Sequence, residues 1–145
     1  MKSLGLDFGT TNTVATTINA AGQAEAMSFM HMNEGFSAFR SVLCFWDTPE
    51  EAGRRYAIEA GPWAIDRFLE LGGECRFIQS FKTFAASPLF TDTLIYSRRY
   101  KFEDLLASFL RRVREHAGKD FPRRVVAGRP VKFAGAQPDE ALART

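Results

Sequence analysis

The sequence lacks a long apolar run, and no segment near Met1 combines positive charge, an apolar core and a small-residue cleavage site. We therefore predict neither a secretory signal nor a membrane-spanning helix, and we expect a cytoplasmic protein with no membrane partner. Cysteine is also scarce, because Cys44 and Cys75 are the only two and their spacing is not Cys-x-x-Cys. No disulfide framework or zinc site can be argued from them, so each thiol is expected to be reduced and partly buried.

The sequence also has few histidines and little net charge. His31 and His116 have no acidic or cysteine partner at metal-ligand spacing, so both are expected to be structural or solvated. The formal net charge is only +2 over 145 residues, with mixed signs and average apolar content, which indicates a soluble domain able to bury a core. Basic residues crowd the C-terminal third, but no recognised nucleic-acid motif accompanies them, and no nucleic-acid partner is expected.

The sequence does contain a polar turn between two apolar segments close to its start. Residues 4–15 read LGLDFGTTNTVA. Glycine at Gly9 tolerates backbone angles that other residues avoid, so a ligand can approach the main chain there without meeting a Cβ. Four successive amides are then predicted to form a concave donor surface for an anion. They belong to Gly9, Thr10, Thr11 and Asn12.

Side chains of the same turn extend this prediction. The hydroxyls of Thr10 and Thr11 add donors, and Asp7 at the end of the first strand offers oxygen to a hydrated magnesium ion. We therefore predict a site for a magnesium-bound polyphosphate. The alternative is an ordinary hairpin turn without a ligand. The motif is neither a Walker loop, which needs Gly-Lys-Thr before a helix, nor a dinucleotide-binding fingerprint.

Three segments carry a resemblance to a known family. Residues 6–13 (LDFGTTNT) resemble the first phosphate motif of the actin, sugar-kinase and seventy-kilodalton heat-shock ATPase superfamily, and Asn12 favours the heat-shock, DnaK-type branch. Residues 77–87 (FIQSFKTFAAS) resemble the segment in which that family carries its catalytic lysine. Residues 125–133 (VVAGRPVKF) resemble the strand that follows, and their Gly-Arg-Pro-x-x-Phe form is closest to YegD-like chaperones.

This resemblance implies ATP or ADP and Mg²⁺ as cofactors. It implies that Gly9, Thr10, Thr11 and Asn12 bind nucleotide phosphates, that Asp7 orients the metal through water, and that Lys82 is the catalytic lysine. Without the resemblance, Lys82 would be interpreted as a solvated lysine whose stem packs on Phe81 or Phe84.

The same resemblance implies partners for an intact chaperone: unfolded protein clients, J-domain co-chaperones and nucleotide-exchange factors. Pro130 matches a proline that relays nucleotide state between domains in DnaK-type chaperones, but the arginine that follows it in those proteins has no clear counterpart here. YegD-like relatives generally lack the peptide-binding domain, so client folding is a weaker inference than ATP binding.

The coarse pattern predicts an α/β chain. Strands are predicted near residues 2–8, 13–18, 23–30, 39–46 and 124–128, and Pro62 opens a helix that ends at Leu71. The clearest helix begins near Phe102, because apolar residues recur there at the spacing of one helical face. Strands, a helix and a further strand are the order of a ribonuclease H-like, actin-like ATPase lobe. We expect that lobe, incomplete, in residues 1–35 and 98–145, with an inserted α+β subdomain in residues 36–97.

The sequence contains no second phosphate loop and no adenosine-binding glycines. We therefore expect the N-terminal part of an ATP-hydrolysing chaperone that, alone, binds magnesium-ATP weakly or undetectably and does not turn it over. A further hypothesis is that exposed sheet edges drive self-association of the chain.

Three other functions stay open. A sugar or acyl kinase of the same superfamily would grip phosphate identically, although no acceptor-binding set is identifiable. The chain could also be a noncatalytic nucleotide-sensing or interaction module. A ribonuclease H-like nuclease would need further carboxylates, but the strand offers Gly128, Arg129 and Pro130, and Glu115 is at the wrong end of the helix.

Overall fold

The computed structural model describes residues 3–48 and 56–128. Its first half is built from short strands. They are β1 (Ser3–Phe8), β2 (Asn12–Ile18), β3 (Ala24–Ala26), β4 (Phe29–His31), β5 (Glu34–Phe36), β6 (Ala38–Arg40) and β7 (Val42–Asp47). The remaining elements alternate between strands and helices. They are β8 (Tyr56–Ala60), α1 (Gly61–Leu71), β9 (Cys75–Gln79), α2 (Thr83–Ala86), β10 (Thr93–Ile95), β11 (Arg98–Tyr100), α3 (Phe102–Ala117) and β12 (Arg124–Gly128).

The largest sheet has the order β12-β1-β2-β3, and β6 also pairs with β2. Strands β1, β2 and β3 form an antiparallel meander, whereas β12 is parallel to β1 with Asp7 opposite Gly128. Burial alternates along β1, where Leu4 and Leu6 are buried and Asp7 is exposed. One face of this sheet therefore packs into the core, and we call the opposite face, which carries Asp7, the outer face.

A second sheet lies beyond the first and has the order β8-β7-β9, with all pairs antiparallel. Its central strand β7 buries residues on both faces, because one side packs in the main core and Cys44 on the other side packs with Ala64 of α1. Gly61 starts α1 with φ of +60°, and a Cβ there would lie 2.4 Å from the ring of Phe39. Glycine is thus required at this helix start by both its backbone and its neighbour.

Helix α3 has the periodicity that the sequence predicts. It buries Phe102, Leu105, Phe109 and Val113, which share one helical face. The Asp104 carboxylate accepts a hydrogen bond from the Lys101 amide at 3.0 Å, which satisfies a donor at the helix N-terminus. Phe109 packs in the main core, and partly buried Leu110 contacts both that core and the small cluster around Leu4. The helix therefore joins the two sheets.

The mixed α/β class is confirmed, and two details differ from the predicted layout. The strand expected near residues 23–30 is divided into β3 and β4, which pair with different neighbours. Strand β6 falls within residues 36–97, expected as an insertion, yet it pairs with β2 in the first sheet. Pro130 and the rest of residues 129–145 lie outside the described residues. Among those described, no helix is long and apolar enough to cross a membrane.

Candidate phosphate-binding loop

The predicted phosphate turn is the loop that joins β1 to β2, at the carboxyl end of β1. It is closed by a hydrogen bond in which the Gly9 amide donates to the Asn12 carbonyl oxygen at 3.0 Å. A Cβ at Gly9 would lie 2.2 Å from that same oxygen, and Gly9 is not among the glycines with positive φ. Glycine is therefore needed here for the close approach of two backbone segments, rather than for the unusual backbone angles that the sequence suggests.

The available donors of the loop are fewer than expected. The Gly9 amide already donates a hydrogen bond within the turn. Asn12 is exposed and is the first residue of β2. Within residues 3–48 and 56–128, no hydrogen bond occupies the amides of Thr10 or Thr11, and both threonines are exposed. The concave donor surface predicted from four amides thus loses the Gly9 amide, while exposed Thr10 and Thr11 contribute their amides and hydroxyls.

Hydrogen bonds from Ser41 hold the residues at the end of the loop, where β2 begins. The Ser41 amide donates to the Thr11 carbonyl oxygen at 2.9 Å. The hydroxyls of Thr13 and Ser41 are also 2.9 Å apart, and each residue is only 1% exposed. Because this buried pair satisfies both hydroxyls, it orients the start of β2 while the tip of the loop stays open to solvent.

Asp7 lies on the outer face, next to Val14 on one side and Gly128 on the other. It is exposed, and it takes part in no salt bridge among the residues that the structure describes. No group of three or more His, Cys, Asp or Glu residues that could hold a metal is found in the same residues. A lone carboxylate fits Mg²⁺ bound through water and ligand phosphates, since Mg²⁺ keeps several of its waters.

Lys82 reaches this loop from a distant part of the chain. Its ammonium Nζ donates to the Phe8 carbonyl oxygen at 2.5 Å and lies 5.7 Å from the centroid of the Phe8 ring. The preceding residue, Phe81, is fully buried, and its ring centroid is 5.3 Å from that of Phe8 and 5.7 Å from that of Phe109. These ring contacts bring the lysine to the backbone at Phe8, the residue directly before the loop, although 74 residues separate it from Phe8 in sequence.

A second polar cluster, which we call the Glu59 cluster, was not predicted from the sequence. It comprises Glu59, Arg112, His116 and Glu115. Arg112 donates to both carboxylate oxygens of Glu59, and His116 Nε2 lies 2.9 Å from Glu59 Oε2. Burial opposes ionisation of Glu59, but hydrogen bonds from His116 and Arg112 outweigh it and hold the pKa of the carboxyl below its ordinary value.

Each of the two histidines, expected to be structural or solvated, has a carboxylate partner that the local sequence does not reveal. His31 Nε2 lies 2.7 Å from Asp66 Oδ2, while His116 pairs with Glu59. The Trp63 ring stacks on His116 at 3.5 Å between centroids and meets the edge of His31 at 4.9 Å. These partners come from elements far apart in the chain, so sequence spacing alone gives no signal for them.

A shallow cavity of about 410 Å³ lies elsewhere, between β9 and the β10–β11 hairpin, and Glu74, Cys75 and Tyr96 are part of its lining. None of the predicted site residues lines it. The Tyr96 hydroxyl donates to the Phe45 carbonyl oxygen at 3.2 Å. The residues predicted to bind phosphate therefore lie on the open surface of the loop and not in this cavity.

No protein-family model matches the chain, and no curated protein matches it.

Proposed function

We propose that this chain is the first nucleotide-binding lobe of a DnaK-type, YegD-like chaperone ATPase, and that its β1–β2 loop grips the phosphates of magnesium-ATP. The observation that carries the proposal is the contact between Lys82 Nζ and the Phe8 carbonyl oxygen at 2.5 Å. The lysine that matches the family's catalytic residue thereby lies beside the turn that matches the family's phosphate motif. Two resemblances found 74 residues apart converge on one site.

The sheet order supports the ribonuclease H-like lobe that this proposal includes. Three antiparallel strands are followed, after other elements, by α3 and by a strand parallel to β1. This is the strand order expected of a ribonuclease H-like lobe, with the phosphate turn at the carboxyl end of β1.

The residues of the loop suit distinct roles in ATP binding and hydrolysis. The amides and hydroxyls of the exposed residues Thr10 and Thr11 would bind the β- and γ-phosphate oxygens. Asp7 would orient the hydrated Mg²⁺, whose charge offsets the negative charge of the phosphates. Lys82 would keep the Phe8 carbonyl, donate to a γ-phosphate oxygen and position the attacking water. An ammonium held by one carbonyl oxygen retains two further donors for this purpose.

The proposal also limits what this chain does by itself. The loop is open surface, whereas small-ligand sites usually enclose about 70 to 90% of their ligand. We therefore expect weak magnesium-ATP binding and no turnover by this chain, with hydrolysis a property of the intact chaperone. Unfolded clients, J-domain partners and exchange factors belong to the same proposal for the intact protein.

Weak binding calls for a test that reports location as well as affinity. We would titrate the ¹⁵N-labelled chain with magnesium-ATP and follow each amide by NMR. The expected result is a saturable shift of the Thr10 and Thr11 amides, weakened about tenfold by Lys82→Met, because a charged hydrogen bond to phosphate is lost. Lys119→Met is the matched control, since it removes an equal charge beyond the end of α3.

The proposal is contradicted if magnesium-ATP leaves the loop amides unchanged at millimolar concentration. It is equally contradicted if Lys82→Met and Lys119→Met bind alike. Hydrolysis by the chain alone, removed by Asp7→Ala, would contradict the expectation that turnover needs the intact protein.

A further inference from the structure

Arg40 lies across from the loop on the neighbouring strand β6. In the antiparallel pair of β2 with β6, Asn12 is opposite Arg40 and Thr13 is opposite Phe39. Residues directly opposite each other in such a pair have their Cβ atoms about 5 Å apart. Arg40 therefore borders the last residue of the phosphate loop, although 28 positions separate it from Asn12 in the sequence.

Burial of its neighbour determines which way Arg40 faces. Phe39 is fully buried and contacts the rings of Phe29, Trp63 and Phe109 in the core. Because successive side chains in a strand point to opposite faces, Arg40 projects from the outer face, the one that carries Asp7. Arg40 is exposed, and it forms no salt bridge among residues 3–48 and 56–128.

The loop thus has a cation on each side. Lys82 binds the Phe8 carbonyl oxygen before the loop, and Arg40 stands opposite Asn12 after it. Arg40 is two strands away from Asp7 across the sheet and two residues further along the strand direction. Their Cα atoms are therefore about 12 Å apart. A guanidinium on its long stem spans part of that distance, and its planar donors suit phosphate oxygens.

We propose that Arg40 is a second phosphate-contacting residue and that the loop selects ligands with two or more linked phosphates. A single phosphate group is too small to meet Asp7-bound metal, the loop amides and Arg40 together, whereas a di- or triphosphate chain extends across them. This inference rests on the proposed function, because it concerns the same loop. It adds a residue that neither the phosphate motif nor the lysine segment contains.

The test uses inorganic probes, so that no adenine contact contributes. The full chain would be titrated with magnesium tripolyphosphate, magnesium pyrophosphate and orthophosphate, with the loop amides followed by NMR. The wild type is expected to bind tripolyphosphate at least tenfold more tightly than orthophosphate. Arg40→Gln should weaken tripolyphosphate binding about tenfold while changing orthophosphate binding less than twofold.

Two variants make the result specific. Arg124→Gln removes the same charge from the outer face at the opposite end of the sheet, where Arg124 pairs with Ser3, so it should bind within twofold of wild type. Arg40→Lys keeps the charge but loses the planar fork, so it should fall between wild type and Arg40→Gln.

The inference is overturned if Arg40→Gln binds tripolyphosphate as tightly as Arg124→Gln does. In that case the proposed function still stands if magnesium-ATP shifts the wild-type loop amides. Equal wild-type affinity for orthophosphate and tripolyphosphate also overturns it. A wild-type loop that responds neither to magnesium-ATP nor to tripolyphosphate overturns the proposed function together with the inference.

Discussion

The phosphate loop and the Glu59 cluster contain similar chemical groups but use them differently. In the Glu59 cluster, the carboxylate is held by Arg112 and His116, and the Trp63 ring stacks on the histidine. In the loop, Asp7, Thr10 and Thr11 are exposed and keep donors or acceptors open within the described residues. Mutual pairing and burial mark the first region as structural, whereas the second keeps exposed polar groups, which is what our proposal of a phosphate site requires.

In both regions the backbone is held by hydrogen bonds or by regular secondary structure. The loop is closed by the Gly9 amide and supported by Ser41, just as the Glu59 cluster is supported by α3 and β8. The two regions therefore differ in how their side chains are paired and not in whether their backbone is held in place. Substitutions in the two regions should separate cleanly into effects on stability and effects on ligand binding.

The largest expected effect on stability is that of Glu59→Ala. It leaves Arg112 and His116 partly buried without their carboxylate, so the free energy of unfolding should fall by about 2–3 kcal/mol, less than for a fully buried pair because the residues keep some exposure. Urea unfolding measures this. Glu115→Ala is the matched control, since this more exposed carboxylate pairs with the same Arg112 and should cost at most about 0.5 kcal/mol. Equal losses in the two variants would remove the structural role assigned to Glu59.

A smaller effect is expected from pH. The pKa of Glu59 is lower in the folded protein than its ordinary value of 4.5. The stabilisation that this difference provides is therefore complete above that ordinary value and is lost as pH falls through the lowered folded pKa. Urea unfolding between about pH 7 and about pH 3 should show this loss in wild type and a shallower loss in Glu59→Gln. Parallel pH profiles for the two proteins would contradict the assigned cause.

The support below the loop should have a still smaller effect on stability. Ser41→Ala leaves the buried Thr13 hydroxyl without its partner, so we expect a loss of about 1–2 kcal/mol. Adding Thr13→Val should cost less than the sum of the two single changes, because both partners of the hydrogen bond are then absent. Thr16→Val, on the same strand, is the comparison variant. Strict additivity in the double mutant would show that the two hydroxyls do not interact.

The smallest expected effect on stability is that of Asp7→Asn, and this variant sharpens the comparison most. Because the carboxylate is exposed and unpaired among the described residues, the free energy of unfolding should change by less than about 0.5 kcal/mol. The affinity for magnesium-ATP should nevertheless fall at least tenfold, since the metal loses its carboxylate. A large loss of stability with unchanged nucleotide affinity would reverse the roles given to the two regions.

Local patterns in the sequence predicted much of the framework. The apolar spacing of α3 depends on neighbours a few residues apart, and the helix begins at Phe102, as predicted. Strand β1 lies within the strand predicted near residues 2–8. The loop residues were identified because their types and order are unusual in a short turn. Lys82 was selected through a family resemblance, since one lysine in an aromatic segment carries no signal by itself.

The remaining features depend on contacts between distant segments. Ser41 is 28 residues from Thr13, Arg112 is 53 residues from Glu59, and Lys82 is 74 residues from Phe8. Pairing of β6 with β2 likewise cannot be inferred from three residues of sequence. Gly9 was selected for its backbone freedom, whereas the folded loop shows a different need for glycine, the close approach of the Asn12 carbonyl.

The central claim is that the loop from Asp7 to Asn12 binds a divalent cation together with linked phosphates. Paramagnetic Mn²⁺ in place of Mg²⁺ tests it most directly, because bound Mn²⁺ broadens the NMR signals of nearby amides. With Mn²⁺-ATP at low stoichiometry, we predict selective broadening of the Phe8, Thr10 and Thr11 amides that Mn²⁺ alone does not produce and that Asp7→Asn removes. Broadening centred on the Glu59 cluster, or broadening that is the same in wild type and Asp7→Asn, would contradict the account.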